Sequence, residues 1–456
     1  MHITTIETSS LGDRSYLVDD GAVAAVIDPQ RDVDRALAAA GARGVSITHV
    51  FETHIHNDYV TGGLELSRVT GAEYVLSNMD ELSFRHRAIA DGEVVDVGSL
   101  RFRAMHTPGH THHHFSYVVL DSGGAPAAVF TGGSMLYGTT GRTDLLGPEH
   151  TTDLSHKQFH SVRKLADALP EDVEVYPTHG FGSFCSSTPA AEQDSSTIGA
   201  ERRTNPALTQ DEQTYVDELM AGLTAYPAYY AHMGVINQEG PEPVDLRTPE
   251  PVEPAALRRR IDAGEWVVDL RNRRAFASGH LAGTTGFELS NSFVTYLGWL
   301  YTWGAPITLI GDSSDQVRDA RRDLARIGID NVTGAAVSER DRLGDLALRD
   351  GDVRSYRVAT FADLARERDE RDLVVLDARR KDEHNESAIP GAINIPIHEV
   401  LARRDEVPGG EVWVHCESGY RASITASLLD RDGRTIVLID DAFDEAEELG
   451  LTRASA

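Results

Sequence analysis

The chain has 456 residues, 41% of them hydrophobic, and a formal net charge of −29 from 72 acidic and 43 basic side chains. That length predicts about three domains with ordinary cores. The acidic balance excludes a nucleic-acid surface, which needs a basic footprint, and no run of roughly 18 apolar residues is present to span a membrane. Three lysines (Lys157, Lys164 and Lys381) stand beside 40 arginines, which reads as a surface tuned for solubility. Two cysteines, Cys185 and Cys416, cannot form a disulfide framework. The start, Met1-His-Ile-Thr-Thr-Ile-Glu7, lacks the basic and apolar regions of a secretory signal. Both features lead us to expect a reducing, cytoplasmic setting.

Residues 15–20 and 23–28 read as strands around a turn at Gly21. Asp32 to Arg43 reads as a helix with Val33, Ala36, Leu37 and Ala40 on one face, closed by Gly44. Val45 to Phe51 reads as a buried strand, and Val60 to Val69 has helical spacing. Between them lies Glu52-Thr-His-Ile-His-Asn-Asp-Tyr59. Two histidines and an aspartate at the carboxyl end of a strand occupy the place where open α/β sheets put their chemistry. Imidazole and carboxylate together suit zinc or iron. The alternation continues to residue 180 and predicts two sheets covered by helices on their outer faces. More histidines follow strand-like runs: His110 in Thr107-Pro-Gly-His-Thr111 after Phe102 to His106, and His179 in Pro177-Thr-His-Gly180 after Val173 to Tyr176. Ala127 to Phe130 leads into Thr131-Gly-Gly-Ser134.

This series, His-x-His-x-Asp, Pro-Gly-His-Thr, Thr-Gly-x and a late histidine, resembles the metallo-β-lactamase fold. Glu52 to Asp58, Thr107 to Thr111, Gly141-Arg-Thr-Asp-Leu145 and Tyr176 to Gly180 resemble the persulfide dioxygenases of that superfamily, which use one Fe(II) and O2 to oxidise a thiol-bound persulfide to sulfite. The resemblance implies His54 and His110 as metal ligands. The family's third ligand, an aspartate after Thr-Gly, is replaced here by Gly133. Loss of a charged ligand predicts weaker metal binding. Tyr59 stands where dinuclear members carry a histidine, which weighs against a two-zinc hydrolase. His56, Asp58 and His179 remain as further ligands or as groups that orient ligands, and Asp144 is another carboxylate; the sequence does not rank them. The run His112-His-His114 is read as exposed or alternating along a strand, with no ligand assigned. Cys185 has two readings, a thiol that handles persulfide or a buried structural cysteine. Arg202 and Arg203 likewise meet a substrate carboxylate, or cap a helix and pair with surface acids. Residues 211–233 read as one helix and an aromatic-rich segment packed at the domain edge.

Residues 238–254 are rich in proline and acid and read as a stiff linker. Beyond it the chain repeats at an offset of 108 residues: Val267-Val-Asp-Leu-Arg271, ending at Gly283, aligns with Val375-Leu-Asp-Ala-Arg379, ending at Gly391. Alternating strands and helices predict mostly parallel sheets. In the second copy a strand, Val412 to His415, meets a helix, Ala422 to Leu429, through Cys416-Glu-Ser-Gly-Tyr-Arg421. A cysteine wrapped by amides that open a helix reads as a thiolate site, with Arg421 adding positive charge. A cysteine phosphatase needs an arginine one residue later, where Ala422 stands. The loop resembles the rhodanese active site, and Asp377-x-Arg379 resembles that family's upstream pair. The first copy has Gly311-Asp-Ser-Ser-Asp-Gln316 in the matching place, so it forms no persulfide and reads as a structural or interface module.

The fold expected is α/β: an N-terminal αββα metallo-β-lactamase fold (1–237), a linker (238–254), a rhodanese-like domain without the cysteine (255–345), and a rhodanese domain with Cys416 (355–456). The function implied is sulfur metabolism and sulfide detoxification by a persulfide dioxygenase coupled to sulfurtransferase chemistry. Its cofactor is one Fe(II) per chain, with zinc the alternative, and Cys416 and Arg421 are the catalytic pair. Partners are a low-molecular-weight thiol persulfide, O2 and sulfite or thiosulfate, with no nucleic acid or membrane; the silent copy suggests a homodimer surface. The alternatives are a sulfur carrier or sulfurtransferase on a non-catalytic metallo-β-lactamase scaffold, and a metal-dependent thioester hydrolase.

Overall fold

The computed structural model describes residues 1–121, 123–187, 193–338, 343–349, 351–368, 370 and 373–453. They form two compact units, one of residues 1–245 with 323–328 and one of residues 246–322 with 329–456.

In the first unit one sheet contains β1 (His2–Thr8), β2 (Asp13–Asp19), β3 (Val23–Ile27), β4 (Ser46–Phe51), β5 (Glu73–Ser77) and β6 (Arg87–Ile89), in that spatial order. β1 to β3 form an antiparallel meander, and β3 to β6 run parallel. The second sheet holds β7 (Val94–Val97), β8 (Leu100–His106), β9 (Phe115–Leu120), β10 (Pro126–Gly132), β11 (Glu174–Pro177) and β12 (Ser196–Thr197), also in chain order. Only β10 and β11 pair in parallel there. Phe51, Phe102, Phe115, Tyr117 and Phe130 fill the space between the sheets.

The outer faces carry helices. α1 (Asp34–Arg43) and α2 (Gly63–Thr70) bury Ala36, Ala40, Leu64 and Leu66 with Leu17 and Val50 of the first sheet. α3 (Pro148–Ala168) buries Phe159, Val162 and Leu165 with Val118 and Val129 of the second. This is the αββα arrangement expected. β9 is buried at every position because both its faces are covered, so it reads as continuously apolar instead of alternating. Gly44 closes α1 in the left-handed region, as the sequence predicts. The helix expected from residue 211 is Glu212–Gly222, and the aromatic segment after it opens a second helix, Tyr230–Glu239.

In the second unit the strands are β13 (Trp266–Asp269), β14 (His280–Leu281), β15 (Thr285–Gly286), β16 (Ile307–Gly311), β17 (Val332–Val337), β18 (Val353–Arg354), β19 (Arg357–Ala359), β20 (Val374–Asp377), β21 (Ile393–Asn394), β22 (Glu411–His415) and β23 (Thr435–Ile439). They make a parallel sheet β15-β13-β16-β17, a parallel sheet β19-β23-β22-β20-β21, and a small antiparallel pair, β14 and β18. The repeat seen in the sequence is a repeat of structure. Arg271 clamps Asp269 through its Nε (3.0 Å) and its terminal nitrogen (2.7 Å), and reaches the Gly279 carbonyl. Arg379 does the same to Asp377 (3.1 and 2.9 Å) and to the Ser387 carbonyl.

One expectation needs correction. The end of the segment read as a linker joins a sheet edge. The Val252 N–H donates to the Ala335 carbonyl (2.7 Å), and the Ala335 N–H donates to the Glu250 carbonyl (2.9 Å). Val252, directly after Pro251, supplies the amide this edge requires.

Candidate metal centre and thiol site

In the first unit the carboxyl ends of β4, β8, β10 and β11 deliver the Glu52–Tyr59, Thr107–His114, Gly133 and Thr178–Gly180 segments to one place. Asp13, at the start of antiparallel β2, arrives there too. One ring nitrogen each of His54, His110 and His179 lies within 4.8 Å of the other two, and all three rings are buried. The hydrogen bonds fix their tautomers. The Thr53 hydroxyl donates to Asp28 (2.7 Å) and therefore accepts from His54 Nδ1 (2.9 Å). His110 Nδ1 donates to the Arg142 carbonyl (2.7 Å), and its Nε2 is buried without a partner. His179 Nδ1 lies 2.9 Å from Asp13 and 3.1 Å from Asp58, while its Nε2 is 3.5 Å from His54 Nε2. Each Nδ1 is thus anchored and each Nε2 turns inward, the donor set a metal ion requires.

Electrostatics separate the buried groups. Burial, with the neighbouring imidazoles, holds His54 well below the usual histidine value, and burial pushes His110 down to about 3. Both are neutral and able to ligate. His179 is raised well above the ordinary value because Asp58 and Asp13 outweigh its burial. Burial and the Asp58 charge push Asp13 up to about 7, while Asp58, against its own burial, is held low by His179.

His56 turns the other way. Its Nε2 faces Asp28 (3.3 Å), Glu52 (3.2 Å) and the Tyr59 hydroxyl (3.0 Å). Asp28 and Glu52 outweigh burial and raise it to about 9. Its Nδ1 has no partner and lies 3.9 Å from Asp58, so His56, Asp58 and His179 form a second possible donor group. Tyr59 stacks on the His56 ring at 4.3 Å, with its hydroxyl donating to the Asp28 carbonyl (3.2 Å). Asp28 is, among the described residues, the one non-glycine with positive φ (49°). Its carboxylate accepts from the Thr53 amide (2.7 Å), from the Thr53 hydroxyl and from Thr178, tying the first histidine loop to the last. Strain of this kind persists where surrounding bonds over-determine it.

The place of the absent aspartate is closed. A Cβ at Gly133 would overlap the His110 ring and lie 2.8 Å from its Nε2. The Gly133 N–H donates to His114 Nε2 (3.1 Å), and His114 Nδ1 bonds the Thr107 hydroxyl (2.9 Å). His114, left unassigned from the sequence, is fully buried and stacks on His54 at 5.0 Å. Both its nitrogens are committed, so it walls the site and is no ligand. Asp144 pairs with Arg142 at 2.7 Å, which fixes the turn whose carbonyl orients His110. Cys185 is buried, its sulfur 3.9 Å from the Tyr230 hydroxyl, and burial pushes its thiol well up. Arg202 bonds the Ala166 carbonyl near the end of α3, the capping role. A cavity of about 160 Å³ adjoins the histidine loops, lined by Ile55, Asn57, Asp80, Thr111, His112 and His113.

In the second unit Cys416 is buried between β22 and the helix Tyr420–Arg431. Gly419 has φ +84°, and a Cβ there would meet Asp440. Arg421 does not face an open pocket: Glu383 accepts both its terminal nitrogens at 2.6 and 2.7 Å. The first half of the unit fastens this loop. The Tyr420 hydroxyl donates to the Glu288 carbonyl (2.7 Å), and Arg273 (2.7 Å) and Arg274 bind Asp440. Glu383 and Asp440 were missed in the sequence because neither sits in a motif; only contact across elements gives them a role.

Residues 13–180 match the family model of the metallo-beta-lactamase superfamily, and residues 360–448 that of the rhodanese-like domain. The chain is 28% identical over 244 residues to the mitochondrial persulfide dioxygenase ETHE1 of Homo sapiens, spanning 53% of this chain and 81% of that one. It is 31% identical over 159 residues to a hydroxyacylglutathione hydrolase of Rhodospirillum rubrum, spanning 34% of this chain and 57% of that one. A solved metallo-beta-lactamase from Staphylococcus aureus subsp. aureus COL superposes with TM-score 0.66 and 28% identity, over 74% of this chain and 98% of that chain.

Proposed function

The chain carries a metallo-β-lactamase-superfamily domain at 13–180 and a rhodanese-like domain at 360–448, and on that premise we propose that it oxidises a low-molecular-weight thiol persulfide to sulfite at one Fe(II) and moves sulfane sulfur through Cys416. The observation that carries the reading is the convergence of His54, His110 and His179, each with its Nδ1 anchored. Three imidazoles, that of His179 exchanging its proton for the metal, in place of two imidazoles and a carboxylate would still leave positions open for O2 and sulfur. Iron bound there would supply the centre at which persulfide sulfur and O2 react, with the balance RSSH + O2 + H2O giving RSH and sulfurous acid.

The chain's own groups hold that arrangement. Thr53, the Arg142 carbonyl and the Asp13–Asp58 pair orient the three rings, and partners of this kind typically govern 10–100-fold in metal affinity. Asp13 and Asp58 also offset the charge a metal brings in place of the His179 proton. His114 and Gly133 close one side of the site. In the second unit Cys416 attacks sulfane sulfur as a nucleophile, and the Arg421–Glu383 pair holds the loop. We assign residues 1–237 to the oxidising domain and 355–456 to the transferring one, with residues 255–345 as the module that supports the transferring domain.

The hydrolase relatives support a second reading, a metal-dependent thioester hydrolase, and a third has the front domain as a scaffold. Anaerobic metal loading separates them. One iron per chain, lost in His179→Ala and His110→Ala, is the expected result; two zincs or no metal would contradict it.

A further inference from the structure

Charge around Cys416 bears on which donor its pocket accepts. Both arginines nearby are already neutralised. Arg421 is held by both oxygens of Glu383. Arg379 spends its Nε and one terminal nitrogen on Asp377 and the Ser387 carbonyl, and its other terminal nitrogen lies 3.8 Å from Glu417. Its guanidinium is stacked 3.5 Å over Phe443, so it cannot swing towards a ligand without leaving that ring. Arg380 is taken by Asp382 and Lys381 by Glu399. Glu417 directly follows the cysteine, with about half of its side chain exposed. The cations of this wall are thus outnumbered by carboxylates before a thiolate charge on Cys416 is added. Aromatic rings pack against Tyr420, which follows in the same loop. Tyr296 lies 5.8 Å from the Tyr420 ring and 6.0 Å from Trp299, and Trp299 stacks on His398 at 5.0 Å.

We propose that Glu417 and Glu383 make the Cys416 pocket selective for persulfides of thiols that carry no charge of their own, and close it to dianionic thiosulfate. The inference rests on the reading of Cys416 as a sulfur carrier. In the transfer, Cys416 Sγ as thiolate attacks the terminal sulfur of R–S–SH. The Sγ–S bond forms as the inner S–S bond breaks, the electron pair leaves on RS⁻, and the proton stays on the transferred sulfur. The same attack on thiosulfate would have to bring a sulfonate beside Glu417 and expel sulfite, with no unpaired guanidinium to receive it.

The test measures thiocyanate formation from cyanide by the full chain with two donors, thiosulfate and the persulfide of N-acetylcysteamine. In the unaltered chain kcat/KM should favour the persulfide by about a hundredfold or more. Glu417→Arg should shift that ratio towards thiosulfate by about tenfold or more, mainly through a lower KM for thiosulfate. Added salt should raise the thiosulfate rate of the unaltered chain, because it screens the repulsion. Equal use of both donors, or a ratio that Glu417→Arg leaves in place, overturns the selectivity. Transfer that survives Cys416→Ser, or none from either donor, overturns the sulfur-carrier reading itself and this inference with it.

Discussion

Restoring the aspartate that persulfide dioxygenases carry after Thr-Gly should harm this protein. Replacing Gly133 by Asp places a Cβ onto the His110 ring, 2.6 Å from Cγ and 2.8 Å from Nε2. The ring cannot retreat freely, because its Nδ1 is held at 2.7 Å by the Arg142 carbonyl and the ring is fully buried. The backbone at 133 is tied as well, through its N–H to His114. Overpacking of this kind costs about 1–3 kcal/mol, which corresponds to roughly 2–12 °C in Tm for a domain of this size. Displacing a ligand imidazole should also weaken iron binding by at least the 10–100-fold typical of lost orienting contacts. The assay is thermal unfolding of the metal-free chain beside an anaerobic Fe(II) competition titration. Tighter iron binding with unchanged Tm would refute the reasoning, since it would mean that the site still has room for the family's carboxylate.

Thr53→Val removes the acceptor for His54 Nδ1 and a donor to Asp28 at nearly constant volume. Iron affinity in the same titration should fall about 10–100-fold, with the far-ultraviolet spectrum retained. Asp440→Ala leaves Arg273 and Arg274 without their shared carboxylate. Arg274 is largely exposed and Arg273 keeps Glu288 at 2.8 Å, so the cost should be about 1 kcal/mol, read as a small shift of urea unfolding of the second unit to lower concentration and a slower transfer through Cys416. His415 is buried, with no well-aligned partner for either ring nitrogen, and burial pushes it down to about 4. The unfolded chain binds a proton below about pH 6.5 that the folded one refuses, so stability is complete above 6.5 and falls as pH drops towards 4, by about 3 kcal/mol. His415→Phe should flatten that part of the pH profile; an unchanged slope would assign it to other groups.

Much of this was legible because strand ends announce themselves. Apolar runs followed by His-x-His-x-Asp, Pro-Gly-His-Thr and Thr-His-Gly put His54, His110 and His179 at strand ends, and the 108-residue offset marked the two segments in which the Asp–Arg clamps form. The ranking of ligands was not legible, because it depends on which ring nitrogen each neighbour engages. Asp13 and Asp28 decide the roles of His179 and His56, yet neither lies in a histidine motif. His114 looked like part of a run that is exposed or alternates along a strand, and it is the missing side chain at Gly132, where a Cβ would lie 2.6 Å from its Nε2, that leaves it space. Arg421 reads as an anion site until Glu383, 38 residues earlier, is seen to occupy it.

Oxidation at the three-histidine site is tested most directly by O2 uptake and sulfite release from the Fe(II)-loaded chain on adding a thiol persulfide, beside His179→Ala. Persulfide-dependent uptake, one sulfite for each O2, and loss of both in the variant together with its iron are the expected results. Full activity in His179→Ala, or no uptake by an iron-loaded chain that still transfers sulfur through Cys416, would contradict it.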